Sequence, residues 1–128
     1  MTKWNLAAVA VLACMIAFGA HAYRRLDCWL PVPFDAAVWR TGEEAGFSAD
    51  APRLRMADWL LGTGVLLGKT RHEIEGMLGP VTKTDYFDNY DMVYWLGPER
   101  GLIRVDSEWL VFRLDAAGRV SRALIVRD

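Results

Sequence analysis

At 128 residues the chain has room for one domain plus a segment of another kind. Its 15 basic residues are scattered among 16 acidic ones, for a formal charge of −1, so no basic field exists to hold nucleic acid. The two cysteines, Cys14 and Cys28, have neither disulfide-framework nor metal-ligand spacing and read as inert apolar residues.

Hydrophobic residues make up 53% of the sequence, and the excess over an ordinary soluble domain sits before Tyr23. There Lys3 and the terminal amine form a positive start, and Leu6 to Ala20 runs without a charge or a proline. A cleaved signal peptide fits the small-x-small triplet Ala20-His21-Ala22. A retained anchor fits the span Trp4 to Tyr23, because roughly 20 residues cross a bilayer and aromatics at both ends suit its interfaces. Lipid attachment at Cys14 fits poorly, since the apolar run continues through Met15, Ile16 and Phe18. The anchor is preferred because Arg24 and Arg25 follow the cleavage candidate at once. The expected address is the inner membrane, single-pass with a periplasmic domain, with a periplasmic protein after signal cleavage as the alternative. The two arginines also leave a cytoplasmic domain open.

Residues 24–51 read as a linker. Pro31 and Pro33 keep Leu30 and Val32 extended, and Asp35 caps a short turn of helix to Arg40. Gly42, Glu43, Glu44 and Gly46 form an exposed connection. The apolar side chains Trp29, Leu30, Phe34, Val38 and Trp39 either pack around the domain, the preferred reading, or face a partner. A helix follows over Ala51 to Leu61, capped by Asp50, with Pro52 at its first position and Met56, Trp59 and Leu60 on one face; Gly62 and Gly64 end it. The clearest start and stop signals bound the next helix, Arg71 to Leu78. Thr70 and Glu73 make a capping box, Gly79 supplies a C-terminal stop and Pro80 blocks extension. Ile74, Met77 and Leu78 give it one apolar face, so the two helices form an αα pair that needs a sheet to cover.

Beyond Pro80 the pattern changes to strands. Thr82 to Phe87, Met92 to Leu96, Trp109 to Asp115 and Arg119 to Arg127 are expected strands, with turns at Asp88-Asn89 and Asp115-Ala116-Ala117-Gly118. Leu110, Phe112 and Leu114 fall on one face of the third; Tyr94 and Trp95 should face opposite sides. The expected fold is therefore α+β: a membrane helix (1–23), a linker (24–51), and a domain (52–128) of two short helices packed on one face of an antiparallel three- to four-stranded sheet.

The run Leu67-Gly68-Lys69-Thr70-Arg71-His72-Glu73-Ile74, followed by Met77-Leu78-Gly79-Pro80, an aromatic-rich hairpin and a closing aspartate-x-x-glycine turn, resembles the SmpA/OmlA (BamE-like) family of outer-membrane-assembly lipoproteins, in an uncharacterised subgroup. The resemblance covers roughly Arg53 to Asp128. It implies two helices on an antiparallel sheet, export to a Gram-negative envelope and a non-catalytic role in binding other proteins. The chain departs from the family in having no convincing lipid-attachment cysteine.

Few residues invite chemistry. Asp85, Asp88 and Asp91 have the wrong spacing for a calcium loop and read as a solvated hairpin tip. Asp106 and Glu108 would share one face of a continuous strand and could split their pKa values as acid and base, but no nucleophile or oxyanion donor lies near in sequence. His72, beside Arg71 and Glu73 in a first helical turn, reads as exposed, and His21 as interfacial. The Gly62, Gly64 and Gly68 run follows no strand and is not a phosphate loop. No catalytic residue, metal or cofactor is assigned. What remains is a set of aromatic residues on neighbouring strands, where a sheet covered on one side leaves the other open to a partner. The expected function is a non-enzymatic, membrane-tethered envelope protein that binds another protein through that open face and the Gly97 to Asp106 loop, using Tyr86, Tyr90, Tyr94, Trp95, Arg100 and Trp109. The alternative is a small-ligand or inhibitor-type module, or a hydrolase using Asp106 and Glu108.

Overall fold

A computed structural model describes residues 3–27, 29–48, 50–101 and 103–128. The elements are α1 (Lys3–Asp27), α2 (Ala36–Trp39), α3 (Glu43–Phe47), α4 (Pro52–Thr63), α5 (Arg71–Leu78), β1 (Met92–Pro98), β2 (Ser107–Leu114) and β3 (Val120–Arg127). The strands form one antiparallel sheet in the order β1-β2-β3, so the architecture is α+β. Cys28 and Leu102 lie outside the described residues.

Local signals built α5 as read. Thr70 is extended and accepts from the Glu73 amide, while the Glu73 carboxylate accepts from the Thr70 amide at 2.7 Å. That bond to the Thr70 backbone, with the Thr70 hydroxyl, holds the Glu73 carboxyl below the usual glutamate range. Asp35 likewise caps α2, accepting from Ala37 and Val38. Asp50 does not cap α4. That position belongs to Ala51, in the left-handed region at φ 45°, and Asp50 accepts from the Ser48 hydroxyl instead. Gly62 stays inside α4, and Gly64, at φ 68°, ends it.

Alternation sorts the strand residues onto two faces. Tyr94 and Leu96 of β1, Leu110 and Phe112 of β2, and Ile125 of β3 pack with Leu54, Met56 and Leu60 of α4 and Ile74 and Leu78 of α5. The connection before α5 joins this layer to the sheet, with Gly68 donating to the Val120 carbonyl and Val120 to that of Lys69. Val93, Trp109 and Val111 are buried on the reverse face, beneath Phe87 and Tyr90.

Two expected connections differ. Thr82 to Phe87 is not a fourth strand: the Thr82 amide donates to the Val93 carbonyl, but its side-chain hydroxyl accepts from the Trp95 amide where a strand would offer a carbonyl. Having spent its side chain on the β1 edge, the chain turns away, and Phe87 takes φ 64° in a turn closed by the Tyr90 amide. Much of the 24–51 stretch is also part of the domain rather than a linker. Trp39 is buried in the core and donates its indole N–H to the Leu78 carbonyl at 3.0 Å. Gly42 precedes α3 and Glu43 to Gly46 are part of that helix instead of an exposed connection, with Ala45 and Gly46 buried against β1.

The α3 contact has a steric cause. At Gly97, which sits after a register shift in β1 at φ 137°, a β-carbon would come within 2.6 Å of the Gly46 carbonyl oxygen, and one at Gly46 would enter the Trp95 ring. Two glycines thus let a helix backbone lie on a strand backbone. Within α1, Leu6–Tyr23 has a mean hydropathy of 2.0 and none of it is buried, which fits a membrane anchor or a signal sequence. Gly46→Val should lower stability by about 1–3 kcal/mol through overpacking. Urea denaturation at neutral pH checks this; a loss no larger than for Gly76→Val, where a β-carbon meets nothing within 4 Å, would show that the contact does not matter.

Candidate functional site

The reverse face of the sheet is not open as expected, because the segment 83–91 folds back over it. Trp109 is buried with the Phe87 ring at 5.8 Å and the Tyr86 ring at 6.0 Å, and its indole N–H donates to the Asp128 carboxylate. Tyr90 packs edge-on to Phe87 with the Arg113 guanidinium 4.8 Å above its ring. From the other side α3 brings Phe47 to within 5.1 Å of Trp95. The face is therefore an aromatic layer that is largely covered, with its two large exposed aromatic residues, Phe47 and Tyr86, at the rim.

That rim opens into a cleft of about 420 Å³ lined by Phe47, Arg53, Thr82, Lys83, Trp95 and Trp109. A second hollow of about 470 Å³, lined by Arg40, Leu78, Pro80 and Tyr94, shares Gly42, Arg53 and Thr82 with it. Together they make one trough that bends around Arg53. Arg53 is pinned there, donating to the Trp39 and Trp95 carbonyls at 2.8 and 3.0 Å and lying 5.2 Å from the Trp39 ring. Phe47, in the wall of the cleft, is 67% exposed, and Tyr86, outside that wall but 6.0 Å from the Trp109 ring that lines it, is 58% exposed, so two large apolar surfaces are left in water beside the cleft.

Of the six residues expected to bind a partner, Tyr86, Tyr90, Trp95 and Trp109 come together on this face. Tyr94 does not. It points into the helix-side core, donating its hydroxyl to the Gly79 carbonyl at 2.9 Å, and burial pushes its phenol pKa up. Arg100 is also taken up internally. It ion-pairs with Glu108 at 2.8 Å and with Asp58 of α4. Phe47 and Arg53 join the site only in the folded chain. The only trace of Phe47 in the sequence is the small pair Ala45-Gly46 ahead of it.

The acid pair is likewise separated. Asp106 is exposed, whereas Glu108 is only 1% exposed and accepts from Arg100 and Arg127. Burial alone would raise the Glu108 pKa, but the hydrogen bonds from the Arg100 side chain and amide outweigh it and hold the carboxyl below its usual range. A base so committed is poorly placed to take a proton from a substrate. Of the three hairpin aspartates, Asp91 accepts from the Leu114 amide at 2.7 Å, and Asp85 and Asp88 are exposed. No family model matches the chain, and no curated protein and no solved structure is significantly similar to it.

Because the folded Glu108 pKa is depressed, its stabilisation is complete above the ordinary glutamate range and is lost as pH falls through the lowered folded value. Glu108→Gln should therefore cost about 1.5–3 kcal/mol at neutral pH by removing one of the two carboxylates that hold Arg100, Asp58 remaining as the other. The gap to the parent should narrow below the ordinary glutamate range. Urea titrations across pH 7 to 3, about the window set by that range, check this; a gap independent of pH would contradict it.

Proposed function

We propose that this chain is a non-enzymatic, membrane-tethered envelope protein that docks another protein in the trough beside α3. The observation that carries the reading is the exposure of Phe47 in a cleft lined by Trp95, Trp109 and Lys83, with exposed Tyr86 next to it against the Trp109 ring. Aromatic anchors around a desolvated floor are what protein interfaces concentrate their binding energy on. The docking surface is thus the cleft rim, in place of the open sheet face expected from sequence, and Tyr94, Arg100 and the buried part of Trp109 support it from beneath.

The remaining parts of the proposal are a retained anchor over residues 4–23, a periplasmic domain on the inner membrane, and membership of the SmpA/OmlA (BamE-like) family. The capped helix ending at Gly79-Pro80 and the two helices set against antiparallel strands support the family reading. A second reading, a small-ligand module, draws support from the cleft volume of about 420 Å³, which falls in the range of small-molecule sites.

Photo-crosslinking in intact cells with a benzoylphenylalanine at Phe47 tests the docking surface. A discrete protein adduct is expected, with its yield falling about tenfold when Lys83→Glu or Tyr86→Ala removes a rim contact. An absent adduct, or one indifferent to both variants, would overturn the reading. The address is tested separately. A reporter active only outside the cytoplasm, fused after Asp128, should be active, and mass spectrometry of the protein isolated from cells should still find residues 4–22 attached to the domain. A product lacking residues 1–22 would identify a cleaved signal instead.

A further inference from the structure

A second exposed apolar patch lies at the other end of β2 from the Asp115–Gly118 turn, and the chain path places it beside the end of α1. The loop between β1 and β2 is closed at its base: the Glu99 amide donates to the Asp106 carbonyl at 2.9 Å and the Arg100 amide to the Glu108 carboxylate at 2.9 Å. Beyond that clamp Ile103 and Val105 are 73% and 79% exposed, with exposed Arg104 between them. Two β-branched apolar residues in a clamped loop thus leave most of their surface in water.

The segment after α1 is strapped to the same end of the domain. Trp29 lies with its ring 5.2 Å from the Arg100 guanidinium, the Leu30 carbonyl accepts from Arg55 at 2.8 Å, and the Val32 amide donates to the Arg55 carbonyl. Trp29 and Leu30 are themselves exposed. Only two peptide steps separate Trp29 from Asp27, the last residue of α1, so at most about 7 Å of chain lies between them. The apolar window ends at Tyr23, four helical residues earlier, or about 6 Å. The headgroup layer of one leaflet is about 5–8 Å thick. A strap this short holds the domain at the lipid surface with its Arg100 end facing down.

We infer that Ile103 and Val105, together with Trp29 and Leu30, insert into the lipid headgroup region of the bilayer that α1 spans, seating the domain on the membrane in one orientation. The chemistry suits that layer: tryptophan prefers the interface, branched aliphatics reach the acyl boundary, and Arg104 extends to lipid phosphates along its apolar stem. Glu99 does not oppose this, because Arg127 pairs with it at 3.2 Å; Asp106, at the base of the loop, stays on the water side. The inference rests on the retained-anchor reading of residues 4–23.

The test uses the full chain in phosphatidylethanolamine–phosphatidylglycerol vesicles. Nitroxide labels are placed singly by Ile103→Cys, Val105→Cys or Ala116→Cys in a background with Cys14→Ala and Cys28→Ser. A fourth sample keeps Cys14 as the labelled site. Collision rates with oxygen and with a water-soluble nickel chelate are compared. Labels at 103 and 105 should meet nickel several-fold less often than the label at 116, while meeting oxygen more often. If 14 is immersed but 103 and 105 behave like 116, the insertion is overturned and the anchor stands. If 14 itself is in water, the anchor reading fails and the insertion with it. Labels at 103 and 105 shielded from both reagents would mean burial against protein, which also overturns the lipid assignment.

Discussion

Arg100 is held between two carboxylates from different layers of the domain, Glu108 at the start of β2 and Asp58 on α4. A buried charge is tolerable only while its partners stay in place, so α4 cannot slide on the sheet without stranding one of the three. Arg127 of β3 pairs with Glu108 as well, which extends the constraint across the width of the sheet. The same guanidinium lies against Trp29, and the Arg100 amide closes the β1–β2 loop on Glu108. One ion cluster therefore fixes the helix layer, the loop and the entry of the chain into the domain.

The rest of the architecture follows from having only three strands to cover. A sheet this narrow buries one face under α4 and α5, and its reverse face would leave Val93, Trp109 and Val111 in water. Segment 83–91 removes that exposure by laying Phe87 and Tyr90 over them, and α3 adds Phe47 at the edge. Covering the face moves the accessible aromatic surface from its centre to its rim. A partner would then meet a bent trough with a pinned arginine at its corner instead of a flat sheet.

The proposed docking and the proposed membrane seating would use different parts of the domain. The trough is made by α3, Thr82 and Lys83 and the Trp95 side of β1; the patch of Ile103 and Val105 lies beyond the Arg100 cluster, where the chain arrives from α1. Seating the second at the lipid surface would leave the first free to face a partner at a fixed height.

Local chemistry alone determined a good part of this molecule. The capping box at Thr70, the cap at Asp35, the opposite facing of Tyr94 and Trp95, and the apolar run before Tyr23 are written in residues a few positions apart, because hydrogen bonds at helix ends and alternation along strands are completed within a turn or a strand. Only the tertiary structure decided the site. Whether Gly46 begins a loop or docks a helix depends on Gly97 also lacking a β-carbon, and whether Thr82 starts a strand depends on Trp95 taking its hydroxyl. Glu108 reads in sequence as a free acid beside Asp106, and becomes structural only when Arg100, Arg127 and Asp58 converge from separate elements. The energy of such contacts lies in pairs distant in sequence, and no pattern within either partner's own segment records them.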